Sequence, residues 1–190
     1  MSGKLVLVSG PTAVGKDTLV DMYIEENPEI KKVLSTTTRS KRDIEKNCEL
    51  RFISKPEFEK LISEERFLEY AKIHENYYGT QKKDILVPFN DGEYLIKVID
   101  IEGMKKLKDY FKSQNLQDDV LSIFIEPSNL DVIRQRLLKR GTETPEEIEI
   151  RLKRIEKELK SRPGYDFIIT SGEIEDDYFR FKGVLDEFYY

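Results

Sequence analysis

The residues best equipped for chemistry stand near the amino terminus, where the apolar run KLVLV leads into GPTAVGKDTL, Gly10 to Leu19. Gly10, Gly15 and Lys16 fit the spacing G-x-x-x-x-G-K. Glycines at those positions let backbone amides close around phosphate oxygens while the lysine reaches the outer phosphates of a bound nucleotide. Pro11, Thr12, Ala13 and Val14 complete the loop. Asp17 stands where this pattern carries Ser or Thr, the hydroxyl that holds Mg2+. A carboxylate there repels phosphates unless a metal or a lysine intervenes, and Thr18 is the nearest substitute hydroxyl. A plain strand-to-helix turn with an exposed lysine shares the spacing, but the apolar strand before it and the helical stretch DTLVDMYIEE after it are the context that phosphate binding demands.

Such a loop needs a sheet to stand on. Apolar, β-branched runs recur at Lys4 to Val8, Tyr94 to Ile99, Leu121 to Ile125 and Phe167 to Thr170, most of them followed by helical periodicity, as in a parallel sheet buried on both faces. Helix starts are marked by SKPE from Ser54 and TPEE from Thr144, each with Glu three residues after a capping hydroxyl. The second opens a helix with the apolar stripe Ile148, Leu152, Ile155 and Leu159. From Thr36 to Asn90 the texture changes, first polar and then rich in Tyr and Phe, which suggests an insertion with its own small sheet. NDG at Asn90 to Gly92 and RPG at Arg162 to Gly164 are the strong turn signals. In the carboxyl-terminal DDYFRFKGVLDEFYY, apolar residues fall at helical spacing and are expected to pack on the core rather than on a second copy.

Composition bounds the rest. A chain of 190 residues suits one compact core with inserted subdomains. A net charge of −5, with both signs interspersed, argues against a general nucleic-acid or anionic-membrane surface, so any anion must be held by a local basic cluster. Cys48 is the sole cysteine, which leaves no disulfide within the chain and suits a reducing compartment. No leader is visible and no apolar run approaches the roughly 20 residues of a membrane span, so a cytoplasmic protein is expected.

Four further stretches follow the loop in order: STTTRSKR from Ser35, FLEYAKIHENYYGT from Phe67, VIDIEG from Val98 and RLLKRGTETPEEIEIRL from Arg136. Together with the loop they resemble guanylate kinase over nearly the whole chain. The resemblance implies an α/β fold: a P-loop parallel sheet core flanked by helices, an inserted small mixed-sheet domain for the nucleoside monophosphate, and a helical lid. The boundaries expected are 1–34 and 91–190 for the core, about 137–155 for the lid within it, and 35–90 for the insertion.

In the family, the TTR-x-x-R element gives two arginines to the acceptor phosphate, and Arg39 and Arg42 stand at those positions here. Paired guanidinium groups suit a dianion because each offers several donors in a fixed fork. Alone, such a stretch is more often a solvated basic loop. Tyr78 matches a phosphate-contacting tyrosine, whereas a second one has no match: one residue is missing after Glu45, which leaves Leu50 in its place. Guanine shows a ring N–H and an amino group on one side, for which a carboxylate is the natural reader, with a hydroxyl donor for its carbonyl. Glu69 matches the base-reading glutamate, Thr80 and Ser35 its hydroxyl partners, and Asp100 a second carboxylate near the base. Asp100 also reads as a strand-end aspartate that holds Mg2+ through water. The family usually has another aspartate two residues earlier, where this chain has Val98. Arg140 and Arg151 match lid arginines that close over the transferring phosphoryl group, and Arg136 is a helix arginine that approaches the donor nucleotide or makes a surface ion pair. His74, the only histidine, is expected to be structural.

The activity implied is ATP-dependent phosphorylation of GMP to GDP, with Lys16, Arg42, Arg140 and Arg151 catalytic, Mg2+ held by Thr18, Asp17 and Asp100, and a monomer or homodimer as the working form. Another purine monophosphate, such as a deoxy or inosine form, is open as the acceptor, and two further readings stand beside it. A ribose 1,5-bisphosphate phosphokinase shares the Asp after the loop lysine but gives Glu69, Thr80 and Ser35 no base to read. A guanylate-kinase-like module that binds phosphoproteins keeps the fold but has a damaged loop, unlike the intact Gly10, Gly15 and Lys16 here.

Overall fold

The computed structural model describes residues 3–41, 50–73, 75–141 and 144–190, the side chain of Arg140 excepted. In chain order its elements are β1 (Lys4–Ser9), α1 (Lys16–Glu26), β2 (Lys31–Lys32), β3 (Ser35–Thr37) and β4 (Leu50–Phe52). There follow α2 (Lys55–Ser63), β5 (Phe67–Ile73), β6 (Asn76–Gln81), α3 (Lys82–Asn90), β7 (Tyr94–Val98) and α4 (Ile101–Ser113). The last third holds β8 (Val120–Pro127), α5 (Leu130–Arg140), α6 (Pro145–Leu159), β9 (Phe167–Ser171) and α7 (Ile174–Tyr189). A parallel five-stranded sheet has the order β2-β7-β1-β8-β9, and a mixed four-stranded sheet the order β4-β3-β6-β5. All four apolar runs became strands of the larger sheet. The last differs from expectation: β9 is an edge strand, so Phe167 and Ile168 are exposed rather than buried on both faces. Among the described residues no helix is long and apolar enough to cross a membrane.

The chain divides into two compact units. One comprises Met1–Leu5, Glu29–Lys97 and Lys105–Val120. Within it, β3 runs parallel to β4 and antiparallel to β6, which in turn pairs antiparallel with β5. The buried Phe58 of α2 stacks on Phe67 and Tyr77, with ring centroids 4.4 and 5.1 Å apart, and so fixes the helix to the sheet. Strands β5 and β6 press together at Gly79, where a Cβ would lie 2.8 Å from the Glu69 carbonyl oxygen. Arg51 of β4 donates two bonds to Asp84 of α3, at 2.6 and 2.9 Å. That fork holds the guanidinium pKa above its ordinary value.

The other unit comprises Val6–Pro28, Val98–Met104 and Leu121–Tyr190. Here α7 packs on α1 as its periodicity suggested: Phe181, Leu185 and Tyr189 are buried, and Tyr23 of α1 meets Phe181 edge-on and donates to Asp186 at 2.8 Å. Helix α5 stops at Gly141, whose φ of 65° only glycine adopts at little cost. Helix α6 restarts on a complete capping box between Thr144 and Glu147, burying Ile148, Leu152 and Ile155. Ser54 likewise caps α2 by accepting from the Glu57 amide.

Phe58→Ala removes the ring that joins α2 to β5 and β6, so the free energy of unfolding should fall by about 3–5 kcal/mol in a urea titration followed by circular dichroism. A loss below about 1 kcal/mol would show that the small sheet stands without that helix.

Candidate active site

The phosphate loop owes its shape to two glycines with different duties. Gly10 has φ 141°, and a Cβ on it would lie 2.0 Å from the Ile125 carbonyl oxygen, so neither its backbone conformation nor its packing on β8 admits a side chain. Gly15 has φ 98° and caps α1, with nothing among the described residues within 4 Å of where its Cβ would be. It stands at the start of α1, where backbone N–H groups and the helix dipole favour an anion. Ala13 adopts φ 64°, a conformation that costs a non-glycine residue about 1–2 kcal/mol. Its carbonyl accepts a 3.1 Å bond from Arg136 of α5, and Lys16 Nζ donates to the Pro11 carbonyl at 2.7 Å. Arg136 therefore reaches the loop rather than a surface ion pair. Pro11 and Val14 are buried, Thr12 is half-buried, and Asp17 and Thr18 are exposed on the first turn of α1.

Asp100 follows β7, and its Oδ1 accepts from the Gly103 amide at 2.7 Å, so this carboxylate is oriented by capping α4. Val98 is the last residue of β7. Among the described residues no group of three or more His, Cys, Asp or Glu gathers as a metal cage. Mg2+ beside a nucleotide takes phosphate and water oxygens with one or two carboxylates, a donor set that Asp100, Asp17 and Thr18 fit. A second feature fits a hydrated ion. The hydroxyls of Ser9, which directly precedes Gly10, and of Tyr165 are buried with no hydrogen-bond partner of ordinary geometry among the described residues. Burial pushes the Tyr165 phenol up to about 12; the approach of Ser9 opposes this, and Asp100 reinforces it. Buried polar groups rarely lack partners, and a polar recess of this kind suits an ordered water.

Of the residues assigned to the base and acceptor phosphate, Ser35, Glu69, Tyr78 and Thr80 lie on the small sheet and Arg39 shortly follows β3. The β5–β6 register puts Glu69 opposite Thr80, and Thr80 Oγ1 donates to Glu69 Oε1 at 2.5 Å. On β3, Ser35 Oγ accepts a 2.9 Å bond from Lys97 Nζ of β7. Leu50 pairs with Ser35 across β3 and β4. Arg39 is placed by a web that ties Thr37 and Thr38 to Tyr77: Thr38 N and Thr37 Oγ1 both donate to the Tyr77 carbonyl, and Thr38 Oγ1 accepts from Tyr77 N. Its guanidinium lies over the Phe52 ring, 5.4 Å from the centroid. Tyr78, in register with Thr37, is half-buried. Arg42 and His74 lie outside the described residues, as does the Arg140 side chain; Arg151 is half-buried on α6. Sequence reasoning missed Lys97, Phe52, Ser9 and Tyr165. Lys97 did leave a trace, as the single charge inside the apolar run YLIKV.

The guanylate kinase family model matches residues 2–188. The chain belongs to the guanylate kinase family. Relatives include the guanylate kinase of Campylobacter jejuni, 35% identical over 97% of this chain and 89% of its own length. That of Clostridium perfringens is 34% identical over 96% of this chain and 82% of its own length. The crystal structure of guanylate kinase from Anaplasma phagocytophilum aligns with 99% of this chain and 87% of its own, with a TM-score of 0.77 at 26% identity. A shikimate kinase from Bacteroides thetaiotaomicron, at 13% identity and a TM-score of 0.51, shares the fold. Membership of the guanylate kinase family thus spans both compact units.

Tyr165→Phe removes a buried hydroxyl that has no partner of ordinary geometry among the described residues. A water in the recess then loses a partner, so the protein should lose about 1 kcal/mol of stability in thermal unfolding. A comparable gain would show instead that the recess is dry.

Proposed function

We propose that this chain catalyses transfer of the γ-phosphoryl group of ATP to GMP, giving GDP and ADP. The observation that carries the reading is the pairing of Glu69 with Thr80 in a chain whose phosphate loop is intact, because a base-reading carboxylate has no use in a kinase whose acceptor lacks a base. Residues 1–34 and 91–190 form the catalytic core in this reading, 35–90 the acceptor domain, and about 137–155 a lid.

The acceptor phosphate oxygen is ionised at neutral pH, so no general base is required. It attacks the γ-phosphorus in line, the bond from that phosphorus to the β–γ bridging oxygen breaks, and the electron pair leaves with ADP. Catalysis then reduces to alignment and to neutralising charge spread over the transferring group. Lys16 and the loop amides hold the ATP phosphates. Arg39, Arg42 and Tyr78 hold the acceptor phosphate, and Ser35, Glu69, Thr80 and Asp100 read the base. Arg136 braces the loop through Ala13 and approaches the donor nucleotide from there. Arg140 and Arg151 bring positive charge from the helices on either side of Gly141, and closure keeps water from the reaction. Mg2+, met by Asp100, Asp17 and Thr18, would neutralise phosphate charge and shape the triphosphate. A cytoplasmic location suits an enzyme that draws on ATP and GMP.

A coupled assay of ADP release with Mg2+ and ATP should give kcat/KM for GMP at least about a hundredfold above that for AMP, because a mismatched base leaves site groups unpaired. Lys16→Ala should abolish turnover. Turnover with ribose 1,5-bisphosphate alone would overturn the assignment of Glu69 and Thr80, and silence with every acceptor would overturn the enzymatic reading.

A further inference from the structure

Lys97 has no place in a simple account of the sheet. It is the fourth residue of β7, between Ile96 and Val98, and only 1% of it is exposed. Lysine is almost never buried so fully without a polar purpose, and an apolar side chain would satisfy a strand of this kind. Its ammonium instead donates to Ser35 Oγ at 2.9 Å and to the Leu34 carbonyl at 3.4 Å, both on the chain entering the small sheet.

The consequence lies in where protons point. An ammonium has three donors and no acceptor, so in its bond with Ser35 the hydroxyl oxygen must accept. The hydroxyl proton of Ser35 is thereby turned away from Lys97 and is presented as a donor. The opposite holds at Thr80: an ionised carboxylate only accepts, so the Thr80 proton is committed to Glu69 and the Thr80 oxygen is left as an acceptor. Two hydroxyls that look interchangeable in sequence are thus fixed with opposite polarity. Guanine needs this pair of polarities, with a donor facing O6 and acceptors facing N1–H and the 2-amino group. A purine with an amino group at C6 presents a donor where Ser35 also presents one.

We propose that Lys97 sets the hydroxyl proton of Ser35 and through it makes the acceptor site selective for a purine with a hydrogen-bond-accepting oxygen at C6. Lys97 is a positioning residue, since it acts through Ser35. The inference rests on the reading of Ser35, Glu69 and Thr80 as base readers. Its positive charge adds to the selectivity, because a cation close to the site favours a carbonyl oxygen and disfavours an amino group there.

The test compares GMP with 6-thioguanosine monophosphate, which keeps N1–H and the 2-amino group but offers sulfur, a poor acceptor, at C6. In the wild type kcat/KM should favour GMP. In Lys97→Met, of similar length and apolar, the GMP value should fall about tenfold, mainly through KM, because the Ser35 proton is no longer directed. The value for the thio compound should barely move, so the ratio narrows about tenfold. Ser35→Ala should narrow it equally, and the double variant no further, because the two residues act on one bond. An unchanged ratio in a folded Lys97→Met, with KM for ATP also unchanged, would overturn the inference. Should Lys97→Met fail to fold, an unchanged ratio in Ser35→Ala overturns it by itself. Neither result touches the parent reading, which fails only if the wild type does not phosphorylate GMP.

Discussion

Everything this protein does with phosphate depends on one constraint: a strand must hand over to a helix through backbone that ordinary residues avoid. The burial of β1 fixes where the loop begins, and the carbonyl of Ile125 leaves no room for a side chain at Gly10. The left-handed Gly15 then turns the chain into α1, whose first backbone N–H groups and dipole favour an anion. Ala13 shows that the loop is held from outside as well. Its costly φ is accompanied by a bond from Arg136, so a helix distant in sequence supports a conformation that the local residues do not favour.

The small sheet solves a different problem, which is to hold polar groups in chosen directions while keeping them partly dry. Its interior is not simply apolar. Thr36, Thr37, Thr80 and Gln81 are all buried, and Gln81 donates to Thr36 at 2.8 Å. Networks of this sort specify one arrangement because each alternative leaves a buried group without a partner. Phe58, Phe67 and Tyr77 supply the apolar contact that lets the polar face be built, and Gly79 lets β5 and β6 approach closely enough for Glu69 to meet Thr80.

The departures from the family pattern now have structural neighbours. Asp17 lies exposed at the start of α1, where a carboxylate also complements the helix dipole. Val98 ends β7, next to the buried Lys97, and Asp100 is oriented by capping α4. Leu50 is paired with Ser35, and the Arg39 guanidinium lies over the Phe52 ring.

The sequence by itself determined the elements whose cause is local. Four apolar runs read as strands, SKPE and TPEE read as helix starts, and the phosphate loop was legible, because periodicity, capping and glycine spacing act over a few residues. The family motifs named Ser35, Arg39, Glu69, Tyr78, Thr80 and Asp100 as a set. What only the tertiary structure decided was who meets whom. Strand order made β9 an edge and left Phe167 and Ile168 exposed, although the run itself reads like the other three. Arg136 read as a helix arginine bound for the nucleotide or for a surface ion pair, and α5 brings it to the Ala13 carbonyl; Lys97, unread in the sequence, is brought by β7 to Ser35. Ser9 and Tyr165, 156 positions apart, meet only in the fold. The physical reason is common to all of them: periodicity records which side of an element is buried, whereas the direction of a hydrogen bond depends on a donor and an acceptor that sequence order keeps far apart.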